Sequence, residues 1–122
     1  MAFSEAIVPS ASRTAAPANA PFNYLGNPSK FLDVIADVTV NAGGLGSITI
    51  DVVGVDPASG KEYLILSSGA LTAVATKLLQ IGPGLPVAAN ATQNQDVPAT
   101  FRIKVTHNNA NPITYSVGIN LQ

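Results

Sequence analysis

From Phe31 onward, apolar residues return at every second position. This is the period a half-buried strand requires, because successive side chains of an extended chain point to opposite sides. In "FLDVIADVTV", Val34, Ala36, Val38 and Val40 make one face and alternate with Ile35, Asp37 and Thr39. "GSITIDVVGV" repeats the pattern with Ile48, Ile50 and Val52 set against Ser47, Thr49 and Asp51. "ATFRIKVTH" opposes Phe101, Ile103 and Val105 to Arg102, Lys104 and Thr106, and "ITYSVGINL" places Ile113, Tyr115, Val117, Ile119 and Leu121 on one face. Further strands are expected near Glu62 to Ser67 and Thr76 to Ile81. "LTAVATKLL" has room for one helical turn, but its β-branched residues and the nearby Gly69 and Gly82 favour strand or loop.

The segments between these runs have the composition of turns. "NAGGLG" reads as a flexible turn and "NNANP" as a hairpin-length connection; "GPG" at Gly82 to Gly84 lacks the Lys and the spacing of a phosphate loop. In "VDPASGKEY", Pro57 sets the φ of a turn's second position and Gly60 supplies a positive φ, as a type I turn with a following bulge requires. Short strands with turn signals and no long amphipathic helix predict an all-β fold. The expected form is an antiparallel β-sandwich, jelly-roll or Ig-like, of about 6 to 8 short strands with an extended N-terminal arm. Its core is expected to include Val38, Ile48, Ile50, Val52, Phe101, Ile103, Val105, Tyr115, Val117 and Ile119.

Residues 1–30 differ in kind. Ala, Ser, Pro and Asn dominate, and Pro9, Pro17, Pro21 and Pro28 exclude a helix or a central strand there. This predicts two parts, an extended Ala/Pro/Ser-rich arm over 1–30 and a sandwich domain over 31–122. The arm's large apolar residues, Phe3, Ile7, Val8, Phe22, Tyr24 and Leu25, are candidate anchors on a partner surface. "ANA" at Ala18 to Ala20 has the small residues of a processing site, without the basic and continuous apolar stretches of a signal peptide before it.

Charged residues make up 11% of the 122-residue chain, against about 25% in an ordinary soluble domain. So little charge favours a surface that works against neighbours, and a symmetric homo-oligomer, expected as a homotrimer, follows. Its interface is expected to use the uncharged loops "NAGGLG" and "GPGLPVAANAT". The six Lys and Arg residues are dispersed and the net charge is −1, which leaves no basic stripe for nucleic acid. No apolar run approaches the roughly 18 residues of a membrane span, and the absence of Cys excludes thiol chemistry.

Candidate chemistry is sparse. Asp56, Ser59, Lys61 and Glu62 offer groups for a cation or a sugar, although an Asp capping its own turn accounts for Asp56 without a ligand. Asp33, Asp37 and Asp51 would suit calcium if they converged, but no "DxDxDG"-like loop accompanies them. His107 has no nucleophile or carboxylate tied to it by a motif. The chain is therefore expected to be no enzyme and to use no cofactor or metal.

"VDPASGKEYLIL", "LQIGPGLPVAANAT" and "PATFRIKVTHNNANPITYSVGINL" together resemble small virion structural proteins of tailed bacteriophages, over roughly Val52 to Leu121. The resemblance implies a capsid decoration, or cement, protein, bound outside the head to the major capsid protein and made in the host cytoplasm. A minor tail or neck protein has the same features, and a glycan-binding β-sandwich is the reading from a different class. The absence of Trp weighs against the latter, and Tyr63 and Tyr115 are expected to pack in the core.

Overall fold

The computed structural model describes residues 3–17, 22–24 and 30–122. Among them nine strands run in order: β1 (Phe3–Arg13), β2 (Phe22–Tyr24), β3 (Leu32–Val40), β4 (Ile48–Val55), β5 (Glu62–Leu71), β6 (Ala75–Ile81), β7 (Thr92–Gln93), β8 (Phe101–His107) and β9 (Ile113–Leu121). They form two sheets, ordered β1-β9-β3-β6-β7 and β2-β8-β4-β5. All pairings are antiparallel except that of the two-residue β7 with β6.

The strand order resolves the two architectures left open by the sequence. Among the long strands only β4 and β5 are both consecutive and adjacent; apart from the step from β6 to the two-residue β7, every other strand-to-strand connection crosses from one sheet to the other. Two Greek keys wound in this way make a jelly roll rather than an Ig-like sandwich.

The core lies between the sheets and follows the period of two. Leu32, Val34, Ala36 and Val38 from β3, Ile113 to Leu121 at alternate positions of β9, and Leu79 and Ile81 from β6 are each at most 2% exposed. They meet Ile48, Ile50 and Val52 of β4 and Phe101, Ile103 and Val105 of β8. All ten residues expected in the core are buried.

β5 breaks the alternation. Val52 pairs with Leu66 but Val53 with Leu64, so Ile65 is an extra residue on β5 and both Ile65 and Leu66 are buried. A second irregularity lies between Thr49 and Asp51, opposite Ser68 and Gly69, where Gly69 has φ 68°. The Ile50 amide donates to Ser68 Oγ at 2.9 Å, and that hydroxyl donates to Gly69 O at 2.7 Å. The buried Ser68 thus restores the ladder partner that the irregularity removes.

The N-terminal segment departs from expectation. Phe3–Arg13 lies within the sandwich as the edge strand of the five-stranded sheet, paired with β9 from Phe3↔Leu121 to Arg13↔Ile113. Residues 22–24 pair with β8 in the other sheet. The boundary expected at residue 30 therefore does not divide arm from domain. Prolines are compatible with an edge strand, and Pro9 falls where the register shifts between Val8 and Ala11.

At one end of the roll, Asn41 Nδ2 donates to Gly46 O and Thr72 O, its Oδ1 accepts from the Gly46 amide, and Asn109 and Asn111 both donate to Leu45 O. Gly46 is packed within this stitching: a Cβ there would lie 2.9 Å from Asn41 Oδ1 and from Ile113 Cβ, and 3.0 Å from Pro112 O. Gly46→Ala is expected to destabilise the fold by about 1–3 kcal/mol through overpacking, measured by urea unfolding with an unchanged slope.

Candidate functional site

The hairpin between β4 and β5 is closed by backbone bonds from Gly60 N to Asp56 O and from Asp56 N to Lys61 O, both 2.8 Å. Asp56 spends its carboxylate inside the turn: Oδ1 accepts from the Ala58 amide and Oδ2 from the Ser59 hydroxyl, both at 2.9 Å. These bonds, the Ala58 amide first, hold the Asp56 carboxyl below its ordinary pKa. Ser59 Oγ in turn accepts from the Lys61 amide at 3.2 Å. Gly60 sits at φ 74°, the left-handed region that a glycine enters without strain. The turn's polar groups thus satisfy one another.

Glu62 faces away from that turn. Its two oxygens accept from Arg102 Nη1 and Lys104 Nζ, each at 2.7 Å, on the outer face of the four-stranded sheet. The Lys104 bond, followed by that of Arg102, lowers the Glu62 pKa.

The three aspartates considered for calcium do not converge. Asp33 and Asp37 lie on β3, where Asp33 Oδ1 accepts from Gln80 Nε2 at 3.3 Å and Asp37 Oδ1 from Thr76 Oγ1 at 3.1 Å. Asp51 lies on β4 in the other sheet, aligned with Lys104. The consecutive strands β3 and β4 belong to different sheets, so their polar faces point to opposite outer surfaces. Among the described residues no group of three or more His, Cys, Asp or Glu converges to hold a metal.

One polar cluster penetrates the core. Tyr115, fully buried on β9, has its hydroxyl 2.7 Å from His107 Nε2 at the end of β8, with the rings 5.5 Å apart. The Arg13 guanidinium lies 5.2 Å from the centre of the Tyr115 ring, donates to Tyr115 O at 3.3 Å and reaches back to Pro9 O at 2.7 Å. His107 Nδ1 is buried without a partner. Burial first, then the Arg13 charge, lowers the His107 pKa, while burial raises that of Tyr115. His107 continues the inward parity of Phe101, Ile103 and Val105, which is the sequence signal for its position.

The proposed arm anchors face a different task. Val8 is 5% exposed within the chain's own core and Ile7 packs against it, so neither stands free for a partner. Phe3 belongs to β1, and Phe22 and Tyr24 to β2. Leu25 lies outside the described residues. Tyr63 is 46% exposed, paired with Gly54 with its ring lying over that glycine beside the β4–β5 turn, instead of packed in the core.

Exposed apolar side chains gather at the Asn-stitched end. Val40 is 55%, Leu45 64% and Val74 60% exposed. The three connections there, residues 41–47, 72–74 and 108–112, contain no charged residue. A cleft of about 190 Å3 opens beside them, lined by Val38, Leu71, Ala73 and Lys77 among others. The other loop expected at an interface, Gly82 to Thr92, is at the opposite end, because β3 and β6 run antiparallel with Leu32 aligned to Ile81. The two loops cannot form one patch on a single copy.

No protein-family model and no curated protein matches the sequence. A solved structure similar to the whole chain is that of infectious bursal disease virus, Gt strain, at 7% identity and a TM-score of 0.41, and the chain spans 33% of the length of the chain it matches.

Proposed function

We propose that the protein is a structural component of a virus particle, a capsid decoration or cement protein of a tailed bacteriophage that binds the major capsid protein on the outside of the head. The observation that carries this reading is the jelly-roll strand order, an architecture that viral capsid domains use repeatedly. The same fold also serves lectins and other proteins, so fold alone is not function. The sparse charge supports a surface spent on contacts with neighbours. In this reading the chain is made in the host cytoplasm and joins the assembled head, and its polar turn at Asp56 is structural.

The charge-free end with Val40, Leu45 and Val74 is the contact surface, against the capsid or around the axis of a trimer. Its loops are held rigid by asparagine side chains, which lowers the ordering cost of binding. The test mixes the purified chain with undecorated heads, and separately with tails, and images both. Regular density on the head lattice supports the reading, and density confined to neck or tail replaces it with a minor tail protein. Binding to neither, with retention on a glycan column, selects the lectin-like alternative, to which the half-exposed Tyr63 lends an aromatic platform. Leu45→Glu is expected to weaken head binding by more than about tenfold, whereas Asp56→Ala and Ser59→Ala stay within about tenfold. Light scattering that reports a monomer at every concentration removes the solution trimer.

A further inference from the structure

We propose that Arg13, Tyr115 and His107 form an acid-sensitive latch that holds the C-terminal half of β1 on β9 while His107 is neutral and lets it go when His107 is protonated. The geometry sets one cation and one potential cation around a single buried ring. Arg13 lies over Tyr115 and hydrogen-bonds its carbonyl, while His107 meets the hydroxyl of the same side chain. Among the described residues, the ionisable groups near the imidazole are Tyr115 from β9 and Arg13 from β1. The residue of β4 aligned with His107 is Ile48, and the connection that follows, residues 108–112, is uncharged. Among the described residues no carboxylate pairs with His107.

In either neutral tautomer one ring nitrogen serves Tyr115 and the other, Nδ1, is buried alone. The doubly protonated ring carries an N–H at Nδ1 with no acceptor, whichever tautomer it forms from, and a positive charge near that of Arg13, and both disfavour it. The lowered pKa of His107 agrees with this geometry. The unfolded or opened state therefore takes up the proton more readily, so the contribution to stability is present above the ordinary imidazole range and is lost as the pH falls through it.

What yields is decided by the two strands. β4 flanks β8 along its length as far as His107, and β2 pairs with residues 101–103 on the other side. Arg13 ends an edge strand whose pairing with β9 is interrupted twice, between Ala6 and Val8 and between Val8 and Ala11. Arg13 also holds that strand's own bend through Pro9 O and Ala11 O. Repulsion is relieved most cheaply by moving Pro9 to Arg13 outward. That movement uncovers the edge of β9, a set of backbone donors and acceptors open to an added strand.

The test is hydrogen exchange of the full chain between about pH 7.5 and pH 5, corrected for intrinsic rates, with the imidazole of His107 titrated by NMR in parallel. The expected result is a loss of protection at residues 10–13 of at least about tenfold relative to β3 and β4, tracking the His107 titration. His107→Gln, which keeps a polar group for Tyr115 but cannot take the charge, should hold β1 protected across the range, and Arg13→Gln should shrink the change. Uniform loss across all strands overturns the latch, as does β1 protection that does not vary with pH. If His107→Gln does not fold, an imidazole that titrates at or above the ordinary histidine value in the native chain overturns it equally.

Discussion

A chain that begins at Phe31 is expected not to fold. Removing residues 1–30 takes away β1 and β2, and with them the partners of one side of β9 and one side of β8. Both become open edges: β9 loses eight aligned residue pairs, and the core loses Val8 and the packing of Ile7. An edge strand with a continuous apolar face is a template for aggregation. The whole stability of a domain is about 5–15 kcal/mol, and losing a strand with its buried side chains consumes a large part of it. Circular dichroism without a cooperative β-sheet melt, together with loss to the insoluble fraction, is the expected outcome. A truncated chain that melts cooperatively at the full-length temperature would return residues 1–30 to the role of an arm. Val8→Asp in the full chain is the milder version, and it should lower the melting temperature by placing a charge where Val8 is buried.

Ile50→Ala and Ile119→Ala are each expected to cost about 2–5 kcal/mol, the range for deleting a buried aliphatic side chain and leaving a cavity. Ile50 is 0% and Ile119 1% exposed, on the inner faces of the two sheets. Leu64, on β5 but 61% exposed, is the control, and Leu64→Ala should change stability by less than about 0.5 kcal/mol. Urea unfolding with a shifted midpoint and a constant slope measures all three. Losses below about 0.5 kcal/mol at both isoleucines would mean that their faces are assigned to the wrong side of the sheets.

Much of this fold is readable in its strands one at a time. The alternation in β3, β4, β8 and β9 places each inner face correctly because a strand's two faces follow directly from side-chain direction. Asp56 and Gly60 announce their turn through chemistry confined to a few residues. The irregularities of β5 were hidden, because an extra residue is visible only against the partner strand.

The candidate site was less legible. His107 and Tyr115 each have the right parity to point inward, but their strands lie in different sheets, and only the wrapping of one over the other brings the two side chains together. Asp33 and Asp51 show the converse: on strands consecutive in sequence, they are separated because the winding sends β3 and β4 to opposite sheets.

The all-β class, the turns and the inner faces are local properties, since they depend on the two-residue period and on local φ preferences. The winding and the membership of β1, whose Ala, Ser and Pro residues carry little strand signal of their own, come from contacts between distant parts of the chain. Pairing with β9 supplies the hydrogen bonds and the apolar socket for Val8 that make this segment a strand. The sheet partner, contributed from a hundred or more residues away, is information that no local window of the chain contains.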